Sequence, residues 1–288
     1  LYFADRQYLM PRIDAPEYLD RVLDICKREG IQAVTTFIDP EIELLAKSRA
    51  RFEKLGVEVL APYEETAKLC FDKYMMYQYL KEHHISTVET WGDLDSFQAA
   101  LAAGQVRFPV FVKPRTGSGS VGARKIDTLP LLEQAMQADP SLIVQEFMDG
   151  IDLDADVYID TITHEAVSAF SKRKIETKIG GASKTISFKD ERLFQFIRDI
   201  CKVLNFNGPV DMDFFYRDGQ YYLSEVNPRF GGAYLHAYGA GVDFIKLIER
   251  NLNGLANAPC FGQYEEGVVM MMYDSVVICR SAELVQGQ

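Results

Sequence analysis

The chain has 288 residues, 48% of them hydrophobic and 25% charged, which is typical of a globular protein that buries a substantial core. Its net charge of −11 argues against a nucleic acid or an anionic membrane surface as the main partner, and no apolar run approaches the roughly 20 residues of a membrane span. The five cysteines form no Cys-x-x-Cys pair, which favours reduced thiols in a cytoplasmic protein over disulfides or a zinc site.

Residues 1–71 alternate between helical and strand patterns, which indicates a parallel α/β layer. The predicted elements are a helix over 14–30, a strand over 31–38, a helix over 40–55 and a short strand over 57–60. Sheets of this kind rarely open on a loop and a helix, and the chain starts with Leu1. We therefore expect that an opening strand precedes this segment and that a Rossmann-like domain is truncated here.

Beyond residue 71 strands and helices follow one another without regular alternation, which predicts an α+β region. The main predicted elements are helices over 72–83, 129–138 and 190–204 and a hairpin over 210–226. Residues 153–160 alternate strictly between apolar and polar side chains, as a half-buried antiparallel strand does. Residues 267–273 have the length of a buried strand.

The run Glu225-Val226-Asn227-Pro228-Arg229 carries the clearest functional signal. Successive side chains of a strand point to opposite faces, so Glu225, Asn227 and Arg229 can lie on one face. A carboxylate and an amide oxygen are hard ligands that suit Mg²⁺, and a guanidinium suits the phosphates that Mg²⁺ carries. The run predicts a strand that binds a metal ion and a phosphate group.

Asp213, on the preceding strand, can complete this metal site only if it shares a face with Glu225. A two-residue turn at Asp218-Gly219, without a bulge elsewhere, would pair Asp213 with Ser224 and separate the two carboxylates. We therefore expect a three-residue loop with a left-handed Gly219, although Asp-Gly favours a type I′ turn. Solvated strand carboxylates are the alternative interpretation.

A glycine-rich segment follows Lys113, which ends a predicted strand. Its glycines free backbone amides to contact phosphates, the lysine adds charge, and Ser118, Gly119 and Ser120 lie where hydroxyl and amide donors are expected. The spacing matches neither a Walker A loop nor a dinucleotide fingerprint followed by a helix. A plain flexible hairpin is the alternative.

Three further segments carry weaker signals. At 144–150 an apolar strand turns into an acidic corner, where the backbone beside Phe147 and Met148 can receive a flat base and Asp152 can accept bonds from ribose hydroxyls; an ordinary strand end is the alternative. The basic stretch 171–184 can attract an anionic substrate, with a solvated loop as the alternative. Gly231-Gly232 can add backbone donors near a transferred phosphoryl group.

In their order along the chain these motifs resemble the ATP-grasp superfamily, and especially one synthetase unit of the carbamoyl-phosphate synthase large chain. The resemblance covers nearly the whole chain. It implies an ATP-grasp fold, α/β and α+β, behind a Rossmann-like pre-ATP-grasp domain. The implied domains are the pre-ATP-grasp domain at 1–71, an N-terminal lobe with a glycine-rich lid at 72–147, and a C-terminal lobe with the metal site at 148–288.

The resemblance also implies roles for single residues. The matching positions are Lys73 and Lys113 for phosphates, Glu146, Phe147 and Met148 for adenine, Asp152 for ribose, and Asp213, Glu225 and Asn227 for the metal. Asp211 is an alternative to Asp213. Arg229 matches the arginine on the phosphate side, so Arg229 and Lys113 are the expected catalytic residues.

We therefore predict an ADP-forming ligase that uses ATP with Mg²⁺ or Mn²⁺ to activate a carboxylate as an acyl phosphate, which an amine or another nucleophile captures. Small-molecule carboxylates and amines are the expected partners, and a homodimer is an open option. A carbamoyl-phosphate synthase large chain carries two such units and this chain has one, so carbamoyl phosphate is not the expected product. The alternatives are an ATP-binding regulatory module without turnover and a kinase-like enzyme that stops at the acyl or carbamoyl phosphate.

Overall fold

The computed structural model describes residues 4–117, 122–178, 181–276, 278 and 280, and its strands form three sheets. The elements are α1 (Tyr18–Glu29), β1 (Ala33–Val34), α2 (Asp39–Glu53), β2 (Glu58–Val59), α3 (Glu64–Phe71), α4 (Lys73–Glu82), β3 (Thr90–Trp91), α5 (Leu94–Ala102), β4 (Val110–Pro114), β5 (Arg124–Ile126), α6 (Leu129–Ala138), β6 (Leu142–Glu146), β7 (Ile151–Ile159), β8 (Ala166–Lys178), β9 (Gly181–Phe188), α7 (Glu191–Val203), β10 (Gly208–Arg217), β11 (Gln220–Asn227), α8 (Tyr234–Gly239), α9 (Phe244–Leu252) and β12 (Val269–Met271). None of the described helices is long and apolar enough to cross a membrane.

The N-terminal segment is a small parallel α/β unit. β1 and β2 pair in parallel, and Leu45 and Phe52 of α2 are buried with Val59 of β2 in their own core. α1 ends at Gly30, whose φ of 64° gives the left-handed cap that glycine adopts readily. The predicted parallel layer is present, although the strand predicted over 31–38 is limited to two residues.

A four-stranded sheet, in the order β3-β6-β4-β5, forms the next layer. Its core joins Val110 and Val112 of β4 to Phe97 of α5 and Leu132 of α6. β4 carries Lys113 near its end and leads toward the glycine-rich segment. The predicted phosphate-contacting residues of that segment, Ser118, Gly119 and Ser120, lie outside the described residues.

The largest sheet is antiparallel and has the order β11-β10-β7-β8-β9-β12. Leu153, Ala155 and Val157 of β7 belong to its apolar face, in one core with Ile197 and other residues of α7. The alternation predicted for this strand is therefore present. The opposite, polar face is not solvated, since Asp154 and Asp156 are only 5% and 1% exposed.

One alternative interpretation and one expectation for this sheet are wrong. The basic stretch 171–184 is not a solvated loop, because most of it forms the paired strands β8 and β9 and Lys172 is fully buried. The apolar run 267–273 is not a buried strand: it contains the three-residue edge strand β12, and Val269, Met271 and Tyr273 are exposed. The charged run was expected to be exposed, but the sheet buries its Lys172. The apolar run was expected to be buried, but it lies at the open edge of the sheet.

Candidate active site

The β10–β11 hairpin turns through two residues. Arg217 pairs with Gln220, and Asp218 and Gly219 between them have φ of 52° and 83°. Positive φ at both central residues is the type I′ geometry that Asp-Gly favours. The predicted three-residue loop is therefore wrong.

A bulge further along the hairpin nevertheless places Asp213 opposite Glu225. Phe214 pairs with Leu223 and Asp213 pairs with Glu225, so Ser224 is an extra residue on β11. The bulge shifts the register by one residue. The two-residue turn alone would have paired Asp213 with Ser224. Both carboxylates consequently lie on the same face of the sheet, as joint metal binding requires.

The acidic face continues across the neighbouring strands. Asp211 lies opposite Asn227 of β11 and opposite Asp156 of β7, while Asp213 lies opposite Asp154. Cross-strand neighbours of this kind are close enough to interact directly. The sheet thus brings together carboxylates from β7, β10 and β11.

Two lysines of β8 compensate part of this charge. Lys172 Nζ lies 3.0 Å from Asp154 Oδ1 and also contacts Asp156. Lys174 Nζ lies 3.0 Å from Asp152 Oδ1 and also contacts Asp213. The lysines leave a net negative charge on this face, because they are outnumbered by its carboxylates.

Burial of these carboxylates favours their protonated forms. Burial raises the pKa of Asp213 to about 6, with Asp154 and Glu225 adding to the effect and Lys174 opposing it. Burial, assisted by Asp154 and Asp213, raises the pKa of Asp211 well above its usual range. A cation bound at this face would favour the ionised forms and relieve the repulsion between them.

A first cavity of about 590 Å³ is lined from both the four-stranded and the six-stranded sheet. The predicted residues in its lining are Lys73, Lys113, Glu146, Phe147, Met148, Asp152, Asp213 and Glu225. The Glu146 carboxylate accepts a bond of 2.7 Å from Arg217, which ties β6 to the hairpin. Apolar side chains and convergent charges are typical of a small-molecule site.

The first turn of α4 is held next to this cavity by its cap. Asp72 accepts bonds from the backbone N–H groups of Tyr74 and Met75, and its carboxylate also pairs with Arg115. The backbone N–H of Lys73 donates to the carbonyl of Arg115 at 3.0 Å. The position of Lys73 is therefore fixed in two ways: its own backbone N–H is bonded to Arg115, and the preceding residue, Asp72, caps the helix.

Two lysines face the carboxylate pair across the first cavity. Lys73 Nζ donates to the carbonyl of Gly117 and lies 3.8 Å from Glu225 Oε1. Lys113 is buried, and burial lowers its pKa, with the neighbouring charge of Lys73 acting in the same direction. These cations lie where negative oxygens of a ligand would be neutralised.

A second cavity of about 620 Å³ shares Lys174, Asp213 and Glu225 with the first. Asn227 and Arg229 line the second cavity but not the first. The structure therefore brings those predicted residues that it describes together on both sides of one wall, formed by Lys174, Asp213 and Glu225.

Arg229 is oriented by the N-terminal unit. Its Nε donates to Asp39 Oδ1 at 2.7 Å, and Asp39 opens α2. Further bonds reach the Phe230 carbonyl at 3.1 Å and Asn227 Oδ1 at 3.4 Å. The guanidinium of the strand motif is thus held by a residue from the other end of the chain.

Gly231 packs directly against two carboxylates. A Cβ at this position would lie 2.7 Å from both Asp156 Oδ1 and Asp211 Oδ1, which is closer than real contacts allow. Neither of these oxygens has a hydrogen-bond partner among the described residues. The glycine is therefore required here for close approach, and the backbone donors expected from the sequence stay a prediction.

Sequence reasoning missed several residues of this site. Asp154, Asp156 and Lys172 form its buried charged layer, and Asp39 orients Arg229. The strict alternation of 153–160 did place the aspartates on one face. The presence of several carboxylates on that one face was the signal that could have identified them as site residues. No signal in the sequence connects Asp39 to Arg229.

The candidate metal ligands are two carboxylates and one amide. In the described part of the chain, no group of three or more His, Cys, Asp or Glu residues has a metal-binding arrangement. Asp213 and Glu225 with the Asn227 amide form a set of a different composition, which suits a hard cation. The excess of carboxylates over lysines around them also favours a bound cation.

Two family models match the chain: one described as ATP-grasp domain at residues 70–233 and one described as PylC-like, N-terminal domain at residues 1–60. The arginine-specific carbamoyl phosphate synthase large chain of Geobacillus stearothermophilus is 23% identical over 283 residues, covering 94% of this chain and 26% of that relative. A D-alanine–D-alanine ligase of Lactococcus lactis is 26% identical over 184 residues, covering 54% of this chain and 52% of the ligase.

Among solved structures, the biotin carboxylase domain of a 2-oxoglutarate carboxylase from Hydrogenobacter thermophilus, in complex with MgADP, ADP and bicarbonate, matches with a TM-score of 0.71. The identity is 18%, and the match covers 92% of this chain and 64% of that one. The chain spans about a quarter of the synthase it matches, at 26%. These likenesses confirm the fold class expected from the sequence.

Proposed function

Because the chain belongs to the ATP-grasp family, whose domain model matches residues 70–233, we propose that it is an ATP-dependent, ADP-forming ligase that activates a carboxylate as an acyl phosphate. An amine or another nucleophile then captures the acyl group. The observation that carries the proposal is the pair Asp213 and Glu225, which lines two adjoining cavities. One shared wall can thus serve a nucleotide on one side and an acceptor on the other.

The first cavity is assigned to ATP. The proposed contacts are Glu146, Phe147 and Met148 for adenine, Asp152 for ribose, and Lys73 and Lys113 for the phosphates. Ser118, Gly119 and Ser120 stay predicted phosphate contacts. The support is that the apolar residues and the lysines line one volume large enough for a nucleotide, about 590 Å³.

Asp213, Glu225 and Asn227 are assigned to Mg²⁺ or Mn²⁺. Two carboxylates and an amide oxygen on paired strands supply hard ligands, and their surroundings carry excess negative charge. Lys174 contacts Oδ1 of Asp213, so Oδ2 has no described ion pair and could bind a metal ion. A bound ion would supply charge stabilisation at the phosphate oxygens.

The reaction then needs positioning and electrostatics rather than a nucleophile from the chain. A substrate carboxylate oxygen attacks the γ-phosphorus, the bond to the bridging oxygen breaks, and ADP leaves with that electron pair. An amine nitrogen attacks the acyl carbon, inorganic phosphate leaves, and the nitrogen loses a proton. Lys113 and Arg229 neutralise charge on the reacting oxygens.

The relatives support this reaction class without identifying the substrates. The name of the D-alanine–D-alanine ligase states the joining of two amino acids, and the 2-oxoglutarate carboxylase domain was solved with MgADP and bicarbonate. The first name is that of a ligase, and the second title places a magnesium-bound nucleotide and a small anion in one protein. We infer the reaction class from these relatives, and we infer the acceptor from the residues that line the second cavity.

Glu225→Gln tests the proposal through ADP release with Mg²⁺ and a panel of carboxylates, with and without amines. Turnover should fall by about 10³-fold, because the shared wall loses a charged ligand. Asp218→Asn is the matched control: it lies in the same hairpin, its side chain is 92% exposed, and asparagine tolerates its positive φ. Unimpaired turnover in Glu225→Gln would contradict the proposal, and ADP release that ignores added carboxylates would favour a regulatory module.

A further inference from the structure

The second cavity is lined by more negative than positive side chains. The six acids in its lining are Asp154, Glu176, Asp211, Asp213, Glu225 and Asp274, against the three bases Lys174, Lys178 and Arg229. Lys178 lies 3.3 Å from Asp274, and Lys184 lies 2.7 Å from Glu176. Asp154, Asp213 and Glu225 pair with Lys172, Lys174 and Lys73, so Asp211, on the floor of the cavity, is the acid of this lining that has no ion pair among the described residues.

Asp211 is the least compensated of these acids. It is 8% exposed, its Oδ2 accepts one bond of 3.3 Å from Asn227, and its Oδ1 has no hydrogen-bond partner among the described residues. The described ion pairs do not include Asp211: Lys172 forms its ion pairs with Asp154 and Asp156, and as a nearby charge it offsets only part of the rise in the pKa of Asp211 that burial causes. A buried carboxylate without a cation is costly, so this floor is complementary to a positively charged ligand.

The same cavity also has apolar side chains in its lining. Phe37 of the N-terminal unit, Phe230, Met272 and Tyr273 all contribute to it, and the rings of Phe37 and Phe230 are 6.0 Å apart. Phe37 is 70% exposed, although it is a large apolar side chain. Exposed apolar side chains that line a cavity indicate a ligand with an apolar surface.

We propose that the second cavity binds the amine substrate, and that this substrate is a primary amine with an apolar body. The proposal rests on the proposed ligase function and names its nucleophile class. The ammonium group lies beside Asp154 and Asp211, and the apolar body packs against Phe37 and Phe230.

This placement brings the nitrogen to the shared wall. Asp213 and Glu225 line both cavities, so an amine on the floor of the second cavity is next to the volume where the acyl phosphate forms. The bound ammonium releases one proton to solvent before the nitrogen attacks and a second proton after the amide bond has formed. The floor then attracts the next ammonium and not the neutral amide.

The test compares two nucleophiles on the same acyl phosphate. Hydroxylamine, which is small and uncharged at neutral pH, traps it as a hydroxamate, while phenethylamine carries both the cation and the apolar body. In Asp211→Asn the ratio of phenethylamine product to hydroxamate should fall about tenfold. Phe37→Ala should lower the same ratio, and should affect phenethylamine more than methylamine.

Tyr238→Ala is the control for losing an exposed aromatic ring, because Tyr238 is exposed and lines neither cavity. It should leave the ratio unchanged. A ratio that stays within about twofold in both Asp211→Asn and Phe37→Ala would overturn the proposal, as would a wild-type preference for methylamine over phenethylamine.

Because Phe37 is exposed, its substitution does not threaten the fold. If the wild-type protein forms no hydroxamate with any carboxylate, the ligase function itself fails; an unchanged ratio with hydroxamate present contradicts the amine site alone.

Discussion

The two cavities share a wall, yet the chain builds them differently. The first is lined largely by residues of recognisable motifs: the start of α4, the end of β4, the β6 hinge and the metal strands. The second combines Phe37, the β8–β9 hairpin, the aspartates of β7 and β10, the segment after Asn227, and residues 272–274. A nucleotide needs a fixed set of groups in a fixed order, whereas an acceptor cavity is assembled from whatever segments the fold brings together.

The charges of the two cavities differ in the same way. Lys73 and Lys113 face the shared carboxylates across the first cavity, whereas Asp154 and Asp211 form the floor of the second. Substitutions on either side should therefore separate nucleotide use from acceptor use. The predictions below run from the largest expected effect to the smallest.

Lys113→Met should impair the first cavity most strongly. Lys113 is buried, and burial lowers its pKa, so holding its charge costs folding free energy. Methionine has similar length without the charge. We expect ATP turnover to fall by about 10²-fold or more while the free energy of unfolding is unchanged or increased. ADP release and urea denaturation measure the two effects; a destabilised variant with normal turnover would show that Lys113 serves the fold instead.

Gly231→Ala should impair the second cavity. The new Cβ would lie 2.7 Å from two buried carboxylate oxygens, so the segment after β11 must move. We expect a loss of about 1–3 kcal/mol in the free energy of unfolding and a larger loss of amine use than of ATP binding. Gly232→Ala is the matched control, because a Cβ there meets nothing within 4 Å. Equal effects of the two substitutions would contradict the close packing of Gly231 on the aspartates.

The metal strands show how far the sequence carried the prediction. Period-two alternation was enough to propose that Glu225 and Asn227 share a face, and that Asp213 must join them. The route was not predictable: the register shift occurs at Ser224, a residue with no turn or bulge signature, and not in the Asp-Gly turn. Bulges depend on the packing of both strands, which a local pattern does not contain.

The buried aspartates and Asp39 lay beyond sequence reasoning for a different reason. Alternation placed Asp154 and Asp156 on one face, but their burial depends on β8, whose Lys172 covers them. Asp39 meets Arg229 across 190 positions of sequence, and that contact depends on how the N-terminal unit packs against the metal strand. Both are properties of long-range packing, which no periodicity reports.

Asp39→Asn should weaken the second cavity through Arg229. The pair has a distance of 2.7 Å and both side chains are about four-fifths buried, so removing the charge leaves the guanidinium with two weaker bonds. Because solvent still screens the pair, we expect a loss of about 1 kcal/mol in the free energy of unfolding, and a change in acceptor KM that exceeds any change in ATP KM. Asp24→Asn, which removes an exposed acid paired with Arg21 and Arg28, should cost almost nothing. An acceptor KM that does not change would mean that Arg229 is oriented by β11 alone.

Lys113→Arg should produce the smallest change, visible as a shift in pH dependence. Burial lowers the pKa of Lys113, so with rising pH this lysine loses its proton earlier than an exposed lysine, whose pKa is about 10.4. Because the charged form binds phosphate, the affinity of the free protein for ATP should weaken on the alkaline side before ordinary lysines titrate. Arginine stays protonated throughout this range, so the variant should keep its affinity to higher pH even if its affinity at neutral pH is somewhat lower. Calorimetric ATP titrations between about pH 7 and pH 10 measure this limb; identical limbs in the two proteins would place the alkaline titration on another group of the first cavity.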